Sequence, residues 1–245
     1  MRYLMKFSYD GSGFNGYQKQ NNLRTVQGLI EEALFSLIGK EINIQASGRT
    51  DKGVHALEQY AHFDIDKEYK LYNLKKYLNN YFEGEIYVQD IKIVDDNFHA
   101  RYNVKEKKYC YYINMGEYNP ILRNCVYQYG KKLDVDLMKE AIKCLIGEHD
   151  FRAFVTGEKE KDNCVRIIYN IEFEVVNDIL KITFVGNGFL RKMIRNIVGA
   201  LILIGNGDKS VNYIKEILLA KERVGNLKCA FAGGLYLEEV NYDDW

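Results

Sequence analysis

The chain is organised around SGRTDKGVHA, residues 47–56, a glycine-bracketed turn that presents one carboxylate, Asp51. The runs on either side, 42–46 and 57–63, are typical of strands. Gly48 and Gly53 allow backbone angles that other residues resist, so the turn can be tight. Arg49 lies two residues before the carboxylate, close enough to share its site. Two interpretations are open: a functional carboxylate on a rigid loop, or an ordinary hairpin with a solvated Asp, which the local chemistry alone favours.

The first half of the chain alternates between strand-like and helix-like segments. Apolar residues three and four apart predict a helix over 25–38, with Thr25 at its start and Gly39 at its end. The other predicted elements are strands at 2–9, 42–46, 57–63 and 86–94 and a helix at 71–82. This order, β-α-β-β-α-β, is that of a split βαβ unit.

The second half repeats the mixture of strands and helices. Its predicted strands lie at 107–115, 126–129, 166–176, 180–186 and 235–240, and its helices at 135–146, 190–204 and 211–219. No Pro/Ser-rich linker separates the halves. The sequence therefore predicts an α/β (α+β) protein of two closely packed halves, residues 1–103 and 104–245.

Composition describes an ordinary globular protein with no net charge. Hydrophobic residues make up 47% of the 245 residues, and 34 Lys and Arg balance 34 Asp and Glu. A general nucleic-acid binder usually has a basic excess, so composition does not support an RNA partner. A local basic surface is still compatible with this balance, because net charge does not determine where charges lie.

Targeting, disulfide and metal signals are absent from the sequence. No apolar stretch is long enough to span a membrane, and the first residues lack the apolar core of a signal peptide, so we expect a cytoplasmic protein. The five cysteines include no Cys-x-x-Cys pair, and the four histidines form no close pair. We therefore expect neither a disulfide framework nor a metal site.

Six stretches, in this order, resemble motifs of the TruA-type tRNA pseudouridine synthases. They are YDGSGFNGYQ at 9–18, TVQ at 25–27, GRTDKGVHA at 48–56, FHARY at 98–102, KYCY at 108–111 and MIRNIVG at 193–199. Together they span nearly the whole chain. The resemblance implies one long mixed, mainly antiparallel sheet shared by the two halves, helices on one face, an active-site cleft between the halves, and a homodimer.

The resemblance also implies a function and a set of site residues. Enzymes of this family convert uridine to pseudouridine at positions 38 to 40 of the tRNA anticodon stem-loop, without a cofactor. By resemblance Asp51 is the catalytic carboxylate, Tyr109 lies against the flipped uracil, and Arg195 pairs with the carboxylate. Two roles are open to Arg49: filling the space that the flipped base leaves, or simply covering the loop.

Further residues near these motifs are candidate substrate or RNA contacts: Gln18, His55, Lys107, Lys108, Arg191 and Lys192. Each candidate has a structural alternative. Tyr109 is one of 20 tyrosines and suits packing in a strand, and Arg195 precedes an apolar helical stretch from which it could extend to water. A surface lysine is more often simply solvated.

The chain also departs from the family pattern. Tyr17 stands where the family commonly has Trp, and the segment 155–166 matches poorly. A relative that acts on another RNA, such as rRNA, is therefore one alternative. An RNA-binding module without catalysis and an enzyme that uses Asp51 on a small molecule are the others.

Overall fold

The computed structural model describes residues 1–155, 163–222 and 227–243. These residues form two compact units: residues 1–105 together with the chain from Tyr236 onward, and residues 106–235. Part of the divergent segment, residues 156–162, lies outside the described residues. No helix in the described ranges has the length and apolar character needed to cross a membrane.

The described residues contain ten strands and five α-helices. The strands are β1 (Arg2–Tyr9), β2 (Gln45–Ala46), β3 (His55–Asp64), β4 (Ile86–Val94), β5 (Glu106–Asn114), β6 (Tyr127–Gln128), β7 (Gly147–Asp150), β8 (Val165–Val176), β9 (Ile179–Gly186) and β10 (Leu235–Asn241). The helices are α1 (Val26–Ile38), α2 (Leu71–Tyr81), α3 (Val135–Ala141), α4 (Met193–Gly205) and α5 (Tyr213–Ala220). Most pairings between strands are antiparallel, which confirms the predicted mixed α/β class.

The first unit is the split βαβ arrangement that the sequence predicts. Its strands lie in the order β4-β1-β3, and β2 pairs with β3, so β3 is antiparallel to both β1 and β2. The final strand, β10, returns to this unit and pairs with β3 in parallel, with Tyr236 opposite His55. The ends of α1 are those predicted, because Thr25 accepts a hydrogen bond from the Gly28 N–H and Gly39 is left-handed.

The second unit contains an antiparallel sheet of four strands in the order β5-β9-β8-β7, with β6 added to β5 in parallel. Helices α3, α4 and α5 pack against one another. Large aromatic side chains fill the interior of each unit: Tyr3, Phe7, Phe63 and Phe82 in the first, and Tyr111, Phe151, Phe154 and Phe184 in the second. Burial of this apolar surface is the main source of stability in each unit.

Four predicted elements differ clearly from the structure. The predicted strand 42–46 is a strand only over Gln45–Ala46. Strand β3 begins at His55, so the last two residues of the quoted stretch belong to the strand. The predicted helix 135–146 is α-helical only to Ala141, and strand β7 follows a short 3-10 turn. Helix α4 begins at Met193 and not at residue 190, because Lys192 has a left-handed backbone (φ 60°). Strand β7 forms because its backbone pairs with β8, and a local sequence pattern does not reveal that pairing.

Candidate active site

Asp51 lies in a tight turn between β2 and β3, which we call the Asp51 loop (residues 47–54). The Val54 N–H donates a hydrogen bond to the Asp51 carbonyl oxygen at 3.1 Å and closes the turn. Gly53 has φ +80°, a conformation at this turn position that favours glycine. The Asp51 residue is half-buried. The Asp51 side chain therefore projects from a turn whose backbone is closed by an internal hydrogen bond.

The early loop (residues 9–18) packs directly against the Asp51 loop. The Tyr17 N–H donates to the Thr50 carbonyl at 3.1 Å. A Cβ at Gly16 would lie 3.2 Å from the same carbonyl oxygen, and Gly16 has φ +95°. A Cβ at Gly11 would lie only 2.0 Å from the Val54 carbonyl oxygen. Two motifs that are separate in the sequence are therefore parts of one local structure.

Buried polar side chains support the Asp51 loop from the protein interior. The Tyr9 hydroxyl and Thr50 Oγ1 are 2.8 Å apart and share a hydrogen bond. Gln59 is fully buried on β3, where it accepts a hydrogen bond from the Ser47 hydroxyl at 2.6 Å. The Gln59 amide also donates to the Gly48 carbonyl at 3.1 Å. Sequence reasoning did not single out these residues, because strand β3 carries several polar residues and only its complete burial distinguishes Gln59 among them.

His55 has a different position from the one predicted. The side chain is 3% exposed, and its Nδ1 accepts a hydrogen bond from the Gly11 N–H at 3.1 Å. Its ring stacks on Tyr236, with 4.7 Å between ring centroids. The same Nδ1 lies 3.1 Å from the Asp10 carboxylate. These contacts anchor the early loop through a buried ring, and a contact of His55 with RNA stays a prediction.

Arg49 and Gln18 are exposed residues on the surface near this turn. Arg49 belongs to the Asp51 loop, and its charge acts on the buried Tyr17 phenol. Burial is the main reason that the pKa of Tyr17 lies well above its ordinary value. In the first unit, Arg49 thus belongs to the same loop as Asp51, and Gln18 follows Tyr17, whose N–H is bonded to that loop.

Tyr109 lies on β5 in the second unit, opposite Phe184 of β9. Its side chain is 8% exposed, and its ring meets Phe189 edge to face with 5.3 Å between centroids. Tyr111 shares the same face of the strand by alternation, as predicted, but is completely buried. The Tyr111 hydroxyl donates to the Phe231 carbonyl at 2.7 Å. Of these two tyrosines, Tyr109 is the one nearer to solvent.

Arg195 lies in the first turn of α4 and is half-buried. Its Nε donates to the Ala230 carbonyl at 2.9 Å, and the Ala230 N–H donates to the Arg195 carbonyl at 3.0 Å. Its charge also acts on the phenol of Tyr111. The side chain is therefore held within the second unit, as a positioned arginine and not as one that is free in solvent.

The four basic candidates in the second unit differ in setting. Lys107 and Lys108 are half-buried neighbours on β5, so their side chains leave opposite faces and only Lys107 shares the face of Tyr109. Arg191 is exposed and Lys192 is half-buried, and both precede α4. The predicted helix 190–204 would include both residues, but α4 begins only at Met193, so neither lies within it. In residues 1–155, 163–222 and 227–243, no three His, Cys, Asp or Glu side chains gather in a possible metal site.

Comparison with known proteins identifies the family. A family model described as tRNA pseudouridine synthase matches residues 5–103 and 141–243, most of the chain. The chain belongs to this synthase family. The matched ranges contain the Asp51 loop, the early loop and Arg195. Membership in the synthase family makes the chain an enzyme of the isomerase type.

Relatives of the synthase family align with nearly the full length of the chain. The chain is 44% identical to tRNA pseudouridine synthase A 2 of a Bacillus cereus strain, over 98% of this chain and 99% of that protein. It is 42% identical to tRNA pseudouridine synthase A of Streptococcus agalactiae serotype Ia, over 99% and 96%. A chain in a crystal structure of a Cbf5-Nop10-Gar1 complex is 12% identical, with a TM-score of 0.35, over 81% of this chain and 54% of that one.

Proposed function

We propose that this enzyme converts uridine to pseudouridine in tRNA, at positions 38 to 40 of the anticodon stem-loop. The observation that carries this proposal is the family match on both sides of residue 104, together with the braced Asp51 loop inside it. Rigid presentation of one carboxylate is what a reaction at a single, precisely placed sugar–base bond requires.

The reaction rearranges bonds without any change of oxidation state. The N1–C1′ bond of uridine breaks, the uracil turns, and a C5–C1′ bond forms. The proton on C5 is lost and N1 gains a proton, so atoms and charge balance. No electron carrier takes part, so the proposal includes no cofactor.

Asp51 is the proposed catalytic carboxylate. Two roles are chemically open to it: attack on the sugar or the uracil ring as a nucleophile, or proton removal as a base. Both roles require the carboxylate to be ionised and held still. The turn hydrogen bond within the Asp51 loop and the contacts with the early loop support the second requirement.

Tyr109, Arg195 and Arg49 are proposed to act on the flipped uridine and on the carboxylate. The Tyr109 ring stacks on the uracil, and its hydroxyl assists proton transfer from C5. Arg195 is, by family resemblance, the proposed counter-charge for the reacting carboxylate. Arg49 occupies the stack that the target base has left, which suits an exposed arginine on the loop that carries Asp51.

The RNA backbone is proposed to follow Lys107, Lys108, Arg191 and Lys192, with Gln18 as a further contact. Each phosphate contact that is removed should lower the slope of log affinity against log salt by up to ~0.9. Substituting Lys107, Lys108 and Lys192 with Ala should therefore weaken tRNA binding and flatten that slope. An unchanged slope would mean that the RNA path lies elsewhere on the protein.

The proposal extends to assembly and location. A homodimer offers folded tRNA a longer, shape-reading surface than one small subunit does, and a cytoplasmic location suits a tRNA substrate. Light scattering of the protein with and without tRNA measures the first point. A monomer that converts tRNA at the full rate would end the dimer proposal.

The function is tested by substituting Asp51 with Asn. Loss of the C5 proton releases tritium from tRNA transcribed with uridine that is tritiated at C5, so tritium release measures turnover. We expect Asp51→Asn to abolish release while tRNA binding and the melting temperature stay close to wild type. Activity of more than a few per cent, a barrier change of under about 2 kcal/mol, would remove Asp51 from this role.

Mapping pseudouridine in tRNA and rRNA with and without the gene identifies the substrate. Loss confined to positions 38 to 40 of tRNA supports the proposal. Loss in rRNA would favour a relative specialised for another RNA. No loss in any RNA, with tRNA binding retained, would favour a non-catalytic RNA-binding module. No loss and no binding at low salt would favour an enzyme that acts on a small molecule.

A further inference from the structure

We propose that Tyr9 is a positioning residue for catalysis: its buried hydroxyl holds Thr50, and through Thr50 it sets the place of the Asp51 carboxylate. This inference rests on the proposed function, in which Asp51 is the catalytic group. Tyr9 does not act on the substrate. It acts on the backbone at Thr50, which carries the catalytic group, Asp51.

The Tyr9 hydroxyl has the protonation state that this role requires. Tyr9 is the last residue of β1 and is 5% exposed. Burial raises its pKa to about 12, so the phenol keeps its proton at neutral pH. At 2.8 Å, the bond between the Tyr9 hydroxyl and Thr50 Oγ1 is of ordinary length for two hydroxyl groups.

Thr50 is held at two points, and these two points control the peptide that leads to Asp51. Its carbonyl accepts a hydrogen bond from the Tyr17 N–H at 3.1 Å, and its side chain is bonded to Tyr9. The carbonyl bond fixes the position of the Thr50–Asp51 peptide group. The side-chain bond limits rotation of Thr50 about its own backbone, which would otherwise swing the carboxylate.

Gln59 joins the same support from β3. Its amide side chain bonds to both Ser47 and Gly48 at the beginning of the Asp51 loop. The Gln59 side chain also interacts with the hydroxyl of Tyr9. Because Gln59 already holds the start of the loop, removing the Tyr9 hydroxyl should leave the loop folded but free to shift at Thr50. A shift of this kind lowers the rate at which the bound tRNA reacts, but it does not weaken tRNA binding.

The experiment compares Tyr9→Phe with a matched control on the same strand. Tyr3 is also buried on β1, and its hydroxyl accepts a hydrogen bond from the Tyr69 N–H at 3.1 Å, at the opposite end of the strand. Tyr3→Phe therefore removes a buried, bonded hydroxyl that is remote from the Asp51 loop. Both variants are assayed by tritium release from tRNA, well below their melting temperatures.

We expect Tyr9→Phe to lower kcat by about 10- to 100-fold with KM changed by less than about 3-fold. Tyr3→Phe should keep the wild-type kcat, even if it lowers the melting temperature as much as Tyr9→Phe does. A second pair of variants approaches the same bond from the loop: Thr50→Ser keeps the hydroxyl and should retain activity, whereas Thr50→Val should lose it. If Tyr9→Phe does not fold, the comparison of these two Thr50 variants decides the question.

The outcomes separate this inference from the function on which it rests. Wild-type kcat in Tyr9→Phe, or equal kcat in Thr50→Ser and Thr50→Val, overturns the positioning role while Asp51→Asn stays inactive. An active Asp51→Asn overturns the proposed function, and the positioning role with it. A double variant, Tyr9→Phe with Thr50→Val, should lose no more activity than the more damaged single variant, because the bond between Tyr9 and Thr50 is already broken in each single variant. Additive losses would contradict action through Thr50.

Discussion

Gly11→Ala is the substitution by which the contact between the early loop and the Asp51 loop can be tested most directly. Gly11 begins a short 3-10 turn at the end of β1. A Cβ built on Gly11 would lie 2.0 Å from the Val54 carbonyl oxygen and 2.5 Å from the carbonyl carbon. Both neighbours are backbone atoms, so no side-chain rotation relieves the clash. Either the early loop or the Asp51 loop must move.

The size of the effect follows from that distance. The contact is about 1.4 Å shorter than the 3.4 Å at which ordinary van der Waals contact begins. Overpacking of this kind costs about 2 kcal/mol, and in a protein of this length that lowers the melting temperature by roughly 4–8 °C. Val54 also donates the hydrogen bond that closes the Asp51 turn, so its displacement carries over to the carboxylate. A misplacement of about 1 Å at a reacting group costs about 100-fold in rate.

Gly13→Ala is the matched control in the same 3-10 turn. A Cβ at Gly13 would have its nearest neighbours at 3.4 Å and 3.5 Å, the ends of the Glu85 and Arg24 side chains. These ends can move, so we expect activity within about 2-fold of wild type. Tritium release and thermal melting are measured on both variants. Wild-type turnover in Gly11→Ala, or equal losses in the two variants, would refute the transmission from the early loop to Asp51.

Three further expectations use other parts of the structure. Tyr17→Phe should raise the free energy of unfolding by about 1 kcal/mol in a thermal melt, because the buried Tyr17 hydroxyl has no hydrogen-bond partner among the described residues; a lower melting temperature would contradict this. Tyr109→Phe should stall turnover with little change in melting temperature, whereas Tyr111→Phe should mainly lower the melting temperature, because its hydroxyl is bonded to the Phe231 carbonyl; equal rates would mean that the wrong tyrosine is assigned. Burial lowers the pKa of His62 from 6.5 to about 4, so the unfolded chain binds the extra proton and stability falls as the pH drops from about 6.5 to about 4. His62→Gln should make the melting temperature less dependent on pH in that range, and an unchanged dependence would exclude this histidine as a contributor.

Local patterns determined much of the secondary structure of this chain. The apolar repeat of α1 and its capping residues Thr25 and Gly39 were sufficient to give its bounds to within one residue. The alternation in β1 and β4 was sufficient in the same way. These features depend on residues within a few positions of one another, so a short stretch of sequence is enough to predict the bounds of these elements.

Motif recognition indicated the family, but the individual residues had to be placed by the fold. Motifs at 9–18 and 48–56 were matched as separate strings. Their contact through Gly11, Gly16 and Thr50 depends on the ends of β1 and β3 lying side by side. The burial of His55 follows from the same arrangement.

Long-range pairing determined what remained. Strand β7 is stable because β8 lies beside it, and β10 reaches β3 across some 180 residues of sequence. The left-handed backbone of Lys192 sets the start of α4, where an apolar pattern favours a longer helix. The sequence by itself thus determined the local elements, the family and the residue proposed to carry the chemistry. Only the tertiary structure decided which residue lies beside that loop, because Tyr9 is 41 residues before Thr50 and the two hydroxyls meet only after β1 and β3 have paired.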